Sequence, residues 1–139
     1  MAITTIEYTG GMTFRGAGPS GHRVRMDASH EAGGDDSAPR PVEVLLCALG
    51  GCTGMDVLSI LRKMKTEPTA LRIEIDDKRA PEHPKAITRL HLTYTVEGNV
   101  PENNIAKAID LSLTKYCPIA STLAGVARIT SEYRIIAPQ

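Results

Sequence analysis

Two cysteines of this chain have surroundings that could support chemistry. Cys52 follows a Gly-Gly pair inside a long apolar run, and Asp56 lies one helical turn further along, on the same face. Glycines inside a helix cost about 1 kcal/mol each relative to alanine, which sequences usually tolerate where something comes close to the backbone. Cys117 directly precedes Pro118, as is typical of a helix N-terminus, where backbone N–H groups favour a thiolate. The pattern indicates thiol chemistry.

A simpler interpretation remains open for all three cysteines, because a free cysteine is often buried as a small hydrophobe. It fits Cys47 best, since Cys47 lies among Leu and Ala residues and points about 140° away from Cys52 around a helix. A metal site is not indicated and we expect no metal ligands, because there is no Cys-x-x-Cys motif. The four histidines are scattered, at His22, His30, His83 and His91.

Hydrophobic patterning predicts one α+β domain over residues 1–139, in the order βββ-α-ββ-α-α-β with a mainly antiparallel sheet. The predicted strands cover residues 3–9, 12–15, 22–28, 69–78, 86–97 and 126–136. The predicted helices cover residues 41–65, 103–116 and 117–125. Residues 30–40, rich in Gly and Asp, are expected to form an exposed loop.

The long helix from Pro41 is apolar on every side over residues 44–49. Such a helix is buried all round, which a single chain of this size hardly achieves. The sequence therefore predicts that a second subunit covers the far face.

Composition and charge exclude several partners. Lys plus Arg equals Asp plus Glu at 16 each, and the chain has no Trp and one Phe, so we expect no nucleic acid. The most apolar stretch, residues 42–64, contains Glu43, Asp56, Arg62 and Lys63, so we expect no membrane span. The odd cysteine count and the absence of a visible secretory signal predict a cytoplasmic location with reduced thiols.

Two sequence blocks carry a resemblance to a known family over nearly the whole chain. The first block is Pro41-x-Glu43-x-Leu45-Leu46-x-Ala48-Leu49-Gly50-Gly51-Cys52, with Asp56-Val57 and Ile60-Leu61 after it, and the second is Tyr116-Cys117-Pro118. On these residues the chain resembles the OsmC/Ohr family of thiol-dependent peroxidases. The N-terminal segments Gly10-Gly11-Met12-x-Phe14 and Pro19-Ser20-Gly21-His22 are closer to the less characterised OsmC-like branch.

The resemblance implies an OsmC-like fold, an intertwined homodimer whose long central helices are wrapped by antiparallel sheets. It implies that Cys52 attacks an organic hydroperoxide and that Cys117 resolves the resulting sulfenic acid. An external dithiol reductant would then restore both thiols, with no bound cofactor. The implied role is in oxidative stress.

The family also uses an arginine of the N-terminal strands, which stabilises the thiolate, and a glutamate that orients this arginine. The resemblance assigns these roles to Arg15, with Arg23 and Arg25 as rivals, and to Glu43. The family places its glutamate directly after the proline, where this chain has Val42. Glu43 therefore also fits a first-turn acid that complements the helix dipole.

A second hypothesis follows from these departures. The family often has Ser two residues after the proline of the second block, where this chain has Ala120. The protein would then be an OsmC-like dimer that binds a small apolar or electrophilic ligand without peroxidase turnover.

Overall fold

The computed structural model describes residues 2–138. The chain divides into two compact units, of which one ends at Cys47 and the other begins at Ala48. The order of strands and α-helices is the predicted βββ-α-ββ-α-α-β. The prediction of one domain over residues 1–139 stays a prediction.

The N-terminal unit contains an antiparallel three-stranded sheet in the order β1-β2-β3. Its strands are β1 (Thr5–Gly10), β2 (Thr13–Ala17) and β3 (Arg23–Met26). The turn between β1 and β2 has positive φ angles at Gly10 (110°) and Gly11 (56°), which glycine adopts without steric cost. The predicted Gly-Gly hairpin is confirmed.

The segment after β3 is largely exposed, as predicted, but it is anchored to the buried Asp27. It contains a short 3₁₀ turn (His30–Ala32), and the Asp27 carboxylate is buried against it. That carboxylate accepts hydrogen bonds from Ser37 Oγ (2.6 Å), Ser37 N (3.0 Å) and Ala28 N (2.7 Å). A Cβ on Gly34 would lie 2.1 Å from Ala28 O, so only glycine fits there.

Helix α1 (Pro41–Lys63) begins at the predicted proline. Its buried residues form one stripe with a spacing of four: Leu49, Thr53, Val57 and Leu61. The other faces of α1 are exposed or half-buried, in agreement with the expectation that one chain alone does not bury this helix all round. Met55, for example, is 74% exposed. This is the arrangement expected if a second subunit covers the helix.

Helix α1 bears on the expectation that the chain contains no membrane span. By length and composition alone, Pro41–Lys63 could span a bilayer, with a mean hydropathy of 1.9 over its most apolar window. Of the four charges weighed against a span, Glu43, Arg62 and Lys63 lie at the two ends of the helix, and Asp56 lies within it. Apolar core helices of soluble proteins pass the same test, so the prediction of no membrane partner stays a prediction.

The C-terminal unit contains a second three-stranded sheet, in the order β4-β5-β6. Its strands are β4 (Ala70–Arg79), β5 (Ile87–Glu97) and β6 (Arg128–Ile136). Strand β5 pairs antiparallel with β4 and parallel with β6. Alternate residues of β5 are fully buried and form the centre of the core: Leu90, Leu92, Tyr94 and Val96.

One predicted helix is divided in the structure. Helix α2 (Glu102–Leu111) continues into a π-helical segment (Ser112–Tyr116), and α3 (Pro118–Leu123) follows. The sequence predicts a single helix over residues 103–116, because one wide turn hardly changes the spacing of apolar residues. Such π-helical turns are frequent at functional sites.

Candidate functional site

The structure places the thiols of Cys52 and Cys117 near one another, close enough for Cys52 to raise the pKa of the Cys117 thiol. Cys52 lies half-buried in the middle of α1, whereas Cys117 is only 2% exposed at the N-terminus of α3. All three cysteines are free, and Cys47 is exposed. Two thiols placed in this way can form a disulfide once one of them is oxidised.

Burial controls the chemistry of Cys117 more than its helix does. The Cys117 Sγ accepts a hydrogen bond from Ala120 N at 3.3 Å, as predicted for a helix start. Burial nevertheless raises the pKa of the Cys117 thiol above its usual value, and the neighbouring Cys52 raises it further. The backbone N–H groups of Ala120 and Ile119 at this helix start lower the pKa of the Cys117 thiol, as expected, but burial outweighs them. Cys117 is held as a thiol beside the more exposed Cys52.

The sequence predicts that another group comes close to the backbone at Gly50-Gly51, and the structure does not show this. A Cβ on Gly50 would make ordinary contact with Ile75 Cδ1 at 3.4 Å, and one on Gly51 would meet nothing within 4 Å. The tight position is Gly54, where a Cβ would lie 3.1 Å from Ile73 Cδ1. Nothing within the chain explains a glycine at position 51.

Arg15 and Glu43 belong to the N-terminal unit, and their assigned roles stay predictions. Arg15 lies on β2, where its cross-strand partners are Glu7 on β1 and Arg25 on β3. The Glu43 carboxylate accepts a hydrogen bond from Arg40 N at 2.8 Å. This bond satisfies a free N–H at the start of α1, in agreement with the interpretation of Glu43 as a first-turn acid.

A buried chain of hydroxyl groups lies next to the two thiols, and the sequence analysis missed it. Thr53, which follows Cys52 in α1, has its Oγ1 at 2.8 Å from Tyr94 OH and at 2.7 Å from Ser112 Oγ. Ser112 in turn donates a hydrogen bond to Asp56 Oδ2 at 2.9 Å. Thr53, Tyr94 and Ser112 are fully buried.

The pKa of the Tyr94 phenol is shifted by this buried environment. Burial raises the pKa of Tyr94 to about 12, and the negative charge of Asp56, together with that of Cys117 where it is ionised, acts in the same direction. The signal in the sequence was a polar Thr53 between apolar residues of α1. Its partners Tyr94 and Ser112 lie 41 and 59 residues further along, so spacing could not identify them.

Among residues 2–138, no group of three or more His, Cys, Asp or Glu side chains is placed to hold a metal ion. A cavity of about 710 Å³ lies between α2, the π-helical segment and β6, with Ile109, Leu113, Arg128 and Tyr133 in its lining. Neither Cys52 nor Cys117 lines it.

Comparison with known proteins gives a consistent result. The model of the family described as OsmC-like protein matches residues 34–132. Protein YhfA of Escherichia coli (strain K12) is 35% identical to this chain over 133 residues, which cover 95% of this chain and 96% of that protein.

Solved structures extend the likeness to the fold. A hypothetical protein from Aquifex aeolicus matches with a TM-score of 0.87 at 24% identity, over 100% of this chain and 98% of that one. The organic hydroperoxide resistance protein OsmC from Legionella pneumophila matches with a TM-score of 0.67 at 16% identity, over 96% of each chain. At these identities the two structures show a shared fold.

Proposed function

This chain belongs to the family of OsmC-like proteins, and on that basis we propose that it is a thiol-dependent peroxidase that reduces organic hydroperoxides. The observation that carries the proposal is the proximity of the Cys52 and Cys117 thiols, with Cys52 close enough to raise the pKa of Cys117. The likeness in fold to an organic hydroperoxide resistance protein supports the same class of substrate.

The proposed reaction has three steps. The Cys52 thiolate attacks the terminal oxygen of the hydroperoxide, the O–O bond breaks, and the alcohol leaves with a proton while Cys52 becomes a sulfenic acid. The Cys117 thiol then displaces the sulfenic hydroxyl as water, and a Cys52–Cys117 disulfide forms. An external dithiol reduces this disulfide and is itself oxidised to a disulfide.

The difference in burial between the two thiols suits this division of roles. Cys52 is half-buried, so a substrate can reach it. Cys117 is nearly fully buried, and this burial raises the pKa of its thiol and so favours the protonated form. A protonated thiol does not compete for the peroxide, because the thiolate is the nucleophile.

We further propose that the protein acts as a homodimer in the cytoplasm. Large apolar side chains are exposed on the N-terminal strands, at Ile6, Tyr8, Phe14 and Val24. On α1, Met55 is 74% exposed and Gly51 has open space around it. Apolar surfaces of this extent usually mark an interface in a soluble protein.

Turnover with cumene hydroperoxide and dithiothreitol tests the proposal. We expect the wild-type protein to form cumyl alcohol well above the rate without protein, and Cys52→Ser to fall to that background rate. Cys47→Ser is the matched control, because it removes an exposed thiol of the same helix, and it should keep the wild-type rate within about twofold. Turnover that persists in Cys52→Ser would contradict the proposal.

The second candidate, a ligand-binding dimer without turnover, is favoured by one observation. Glu43 is hydrogen-bonded to the backbone at the start of α1, which is what a purely structural acid would do. Under this candidate, wild-type protein would show no turnover above background, while Cys52 would still be alkylated stoichiometrically by a small electrophile.

A further inference from the structure

The hydroxyl chain beside the two thiols is not used in the proposed reaction, and it connects the segments that carry them. Thr53 is the residue next to Cys52 in α1. Its hydroxyl contacts Ser112 Oγ at 2.7 Å, and the carbonyl of the same Ser112 accepts the Cys117 backbone N–H at 2.8 Å. One buried residue, Ser112, is therefore bonded to both cysteine-bearing segments.

The directions of these hydrogen bonds are fixed by Asp56. A hydroxyl group has one proton to donate, and Ser112 donates its proton to the Asp56 carboxylate. Thr53 must therefore donate to Ser112, and Tyr94 must donate to Thr53. Because each donor has a single partner, the chain Tyr94–Thr53–Ser112–Asp56 has one arrangement rather than several.

The hydrogen bonds of Ser112 lie at the start of the π-helical segment. Its wide turn ends at Cys117, whose N–H reaches back five residues to the Ser112 carbonyl. A turn of this kind is less favourable than a regular helical turn and needs support from its surroundings. The Ser112 side chain, held from two sides by Thr53 and Asp56, provides that support at the first residue of the turn.

We propose that Thr53, Ser112 and Asp56 are positioning residues that hold Cys117 against Cys52 for the resolving step. This inference rests on the proposed function for its role in peroxide reduction. Their loss slows the attack of Cys117 on the Cys52 sulfenic acid while leaving the first step to Cys52 alone. A second hydroperoxide then oxidises the waiting sulfenic acid to a sulfinic acid and leaves as the alcohol.

The partition between disulfide and sulfinic acid measures the resolving step. In a Cys47→Ser background without reductant, cumene hydroperoxide is added at increasing concentration and the products are identified by mass spectrometry. We expect Thr53→Val and Ser112→Ala to reach half over-oxidation at about tenfold lower peroxide, since small misplacements of reacting groups cost that much or more. Thr53→Ser keeps the hydroxyl and should restore the wild-type midpoint.

Tyr94→Phe separates positioning from stability. It removes one buried hydrogen bond, whereas Thr53→Val and Ser112→Ala each remove two, and it leaves the Thr53–Ser112 bond in place. We expect a midpoint near that of the wild type, with unfolding by urea measured for all variants. An equal loss of resolution in Tyr94→Phe, or wild-type midpoints in Thr53→Val and Ser112→Ala, would overturn the inference.

A second arm without peroxide makes the two proposals separable. Diamide adds to one thiol, and the second thiol then displaces the reduced hydrazine to form the disulfide. We expect Cys52–Cys117 disulfide formation by diamide to slow about tenfold in Thr53→Val and Ser112→Ala and to recover in Thr53→Ser. That result in a protein that does not reduce hydroperoxides would refute the peroxidase but retain the positioning role. Unchanged diamide rates in both variants would refute the positioning role by itself.

Discussion

At the scale of single residues, the two thiols differ in what surrounds them. Cys117 is buried, and its Sγ caps α3 by accepting a hydrogen bond from Ala120 N. Cys52 is half-buried in the middle of a helix. A mid-helix cysteine has no free backbone N–H groups to stabilise a charge, because they are used by the helix. Side chains near the sulfur, such as the predicted Arg15, are therefore the groups that could favour an attack by Cys52.

Tyr94 provides a prediction about alkaline pH. Its pKa is raised to about 12 in the folded protein from an ordinary value near 10, so its stabilising contribution is complete below pH 10. The contribution is lost as pH rises toward 12, because the unfolded chain ionises first. We expect a loss of roughly 2–3 kcal/mol in the free energy of unfolding over that interval. Urea unfolding of the wild type and of Tyr94→Phe at several pH values measures it.

Tyr94→Phe provides the reference for this measurement. Tyr94→Phe has no phenol to titrate, so the gap in stability between it and the wild type should narrow between pH 10 and 12. A constant gap across that interval would show that Tyr94 ionises equally easily in the folded and unfolded chain.

At the scale of elements, the anchored segment after β3 gives a prediction about acid. The Ser37 side chain and backbone hold the pKa of the Asp27 carboxyl well below its usual range, with Ala28 N and Asp35 N acting in the same direction. An Asn at this position would turn an amide group toward N–H donors. We expect Asp27→Asn to destabilise the protein at pH 7, as measured by urea unfolding.

The pH dependence of this effect follows from its sign. A lowered folded-state pKa stabilises the protein above the unfolded value, near pH 4, and this stabilisation is lost as the pH falls further. The stability gap between the wild type and Asp27→Asn should therefore shrink below about pH 4. The exposed Asp76 on β4 offers a matched control, because Asp76→Asn should leave stability unchanged at either pH. A gap as large at pH 3 as at pH 7 would contradict this account.

Most elements could be predicted from sequence because glycine and proline mark their ends. The Gly10-Gly11 pair requires positive φ and therefore identifies a turn, and Pro41 and Pro118 begin helices because a first-turn residue needs no N–H. Alternation along β5 identifies its buried face, since successive side chains point to opposite sides of a strand.

The parts that could not be predicted depend on contacts distant in sequence or on small changes in local geometry. The π-helical segment adds a wide turn without altering the apolar pattern around Ser112. The bonds of Thr53 with Tyr94 and Ser112 join three elements, and no rule of spacing relates them. The direction of the pKa shift at the Cys117 thiol depends on its burial, which the sequence does not reveal. Burial raises this pKa and outweighs the helix start, which lowers it.

At the scale of the whole molecule, Gly51 is a probe of the proposed dimer. It lies exposed in the middle of α1, where alanine would stabilise an isolated helix by about 1 kcal/mol. A second copy packed against this face would instead be pushed away by the added methyl group. We expect Gly51→Ala to raise the dimer dissociation constant about tenfold, measured by analytical ultracentrifugation, because overpacking typically costs 1–3 kcal/mol.

Gly125 provides the control for this variant. A Cβ there would make ordinary contact with Thr122 O at 3.9 Å, and the residue lies outside α1. Gly125→Ala should leave the dissociation constant unchanged. A Gly51→Ala protein that dimerises as the wild type does would place the interface elsewhere, and a monomeric wild type would refute the dimer.

The pairing of Cys52 with Cys117 is the claim on which the proposed function depends. Peptide mapping by mass spectrometry, after one equivalent of cumene hydroperoxide without reductant, tests it most directly. We expect a disulfide between Cys52 and Cys117 in the wild-type protein, with Cys47 still a free thiol. Unmodified Cys52 and Cys117 thiols, or a disulfide that includes Cys47 in their place, would contradict it.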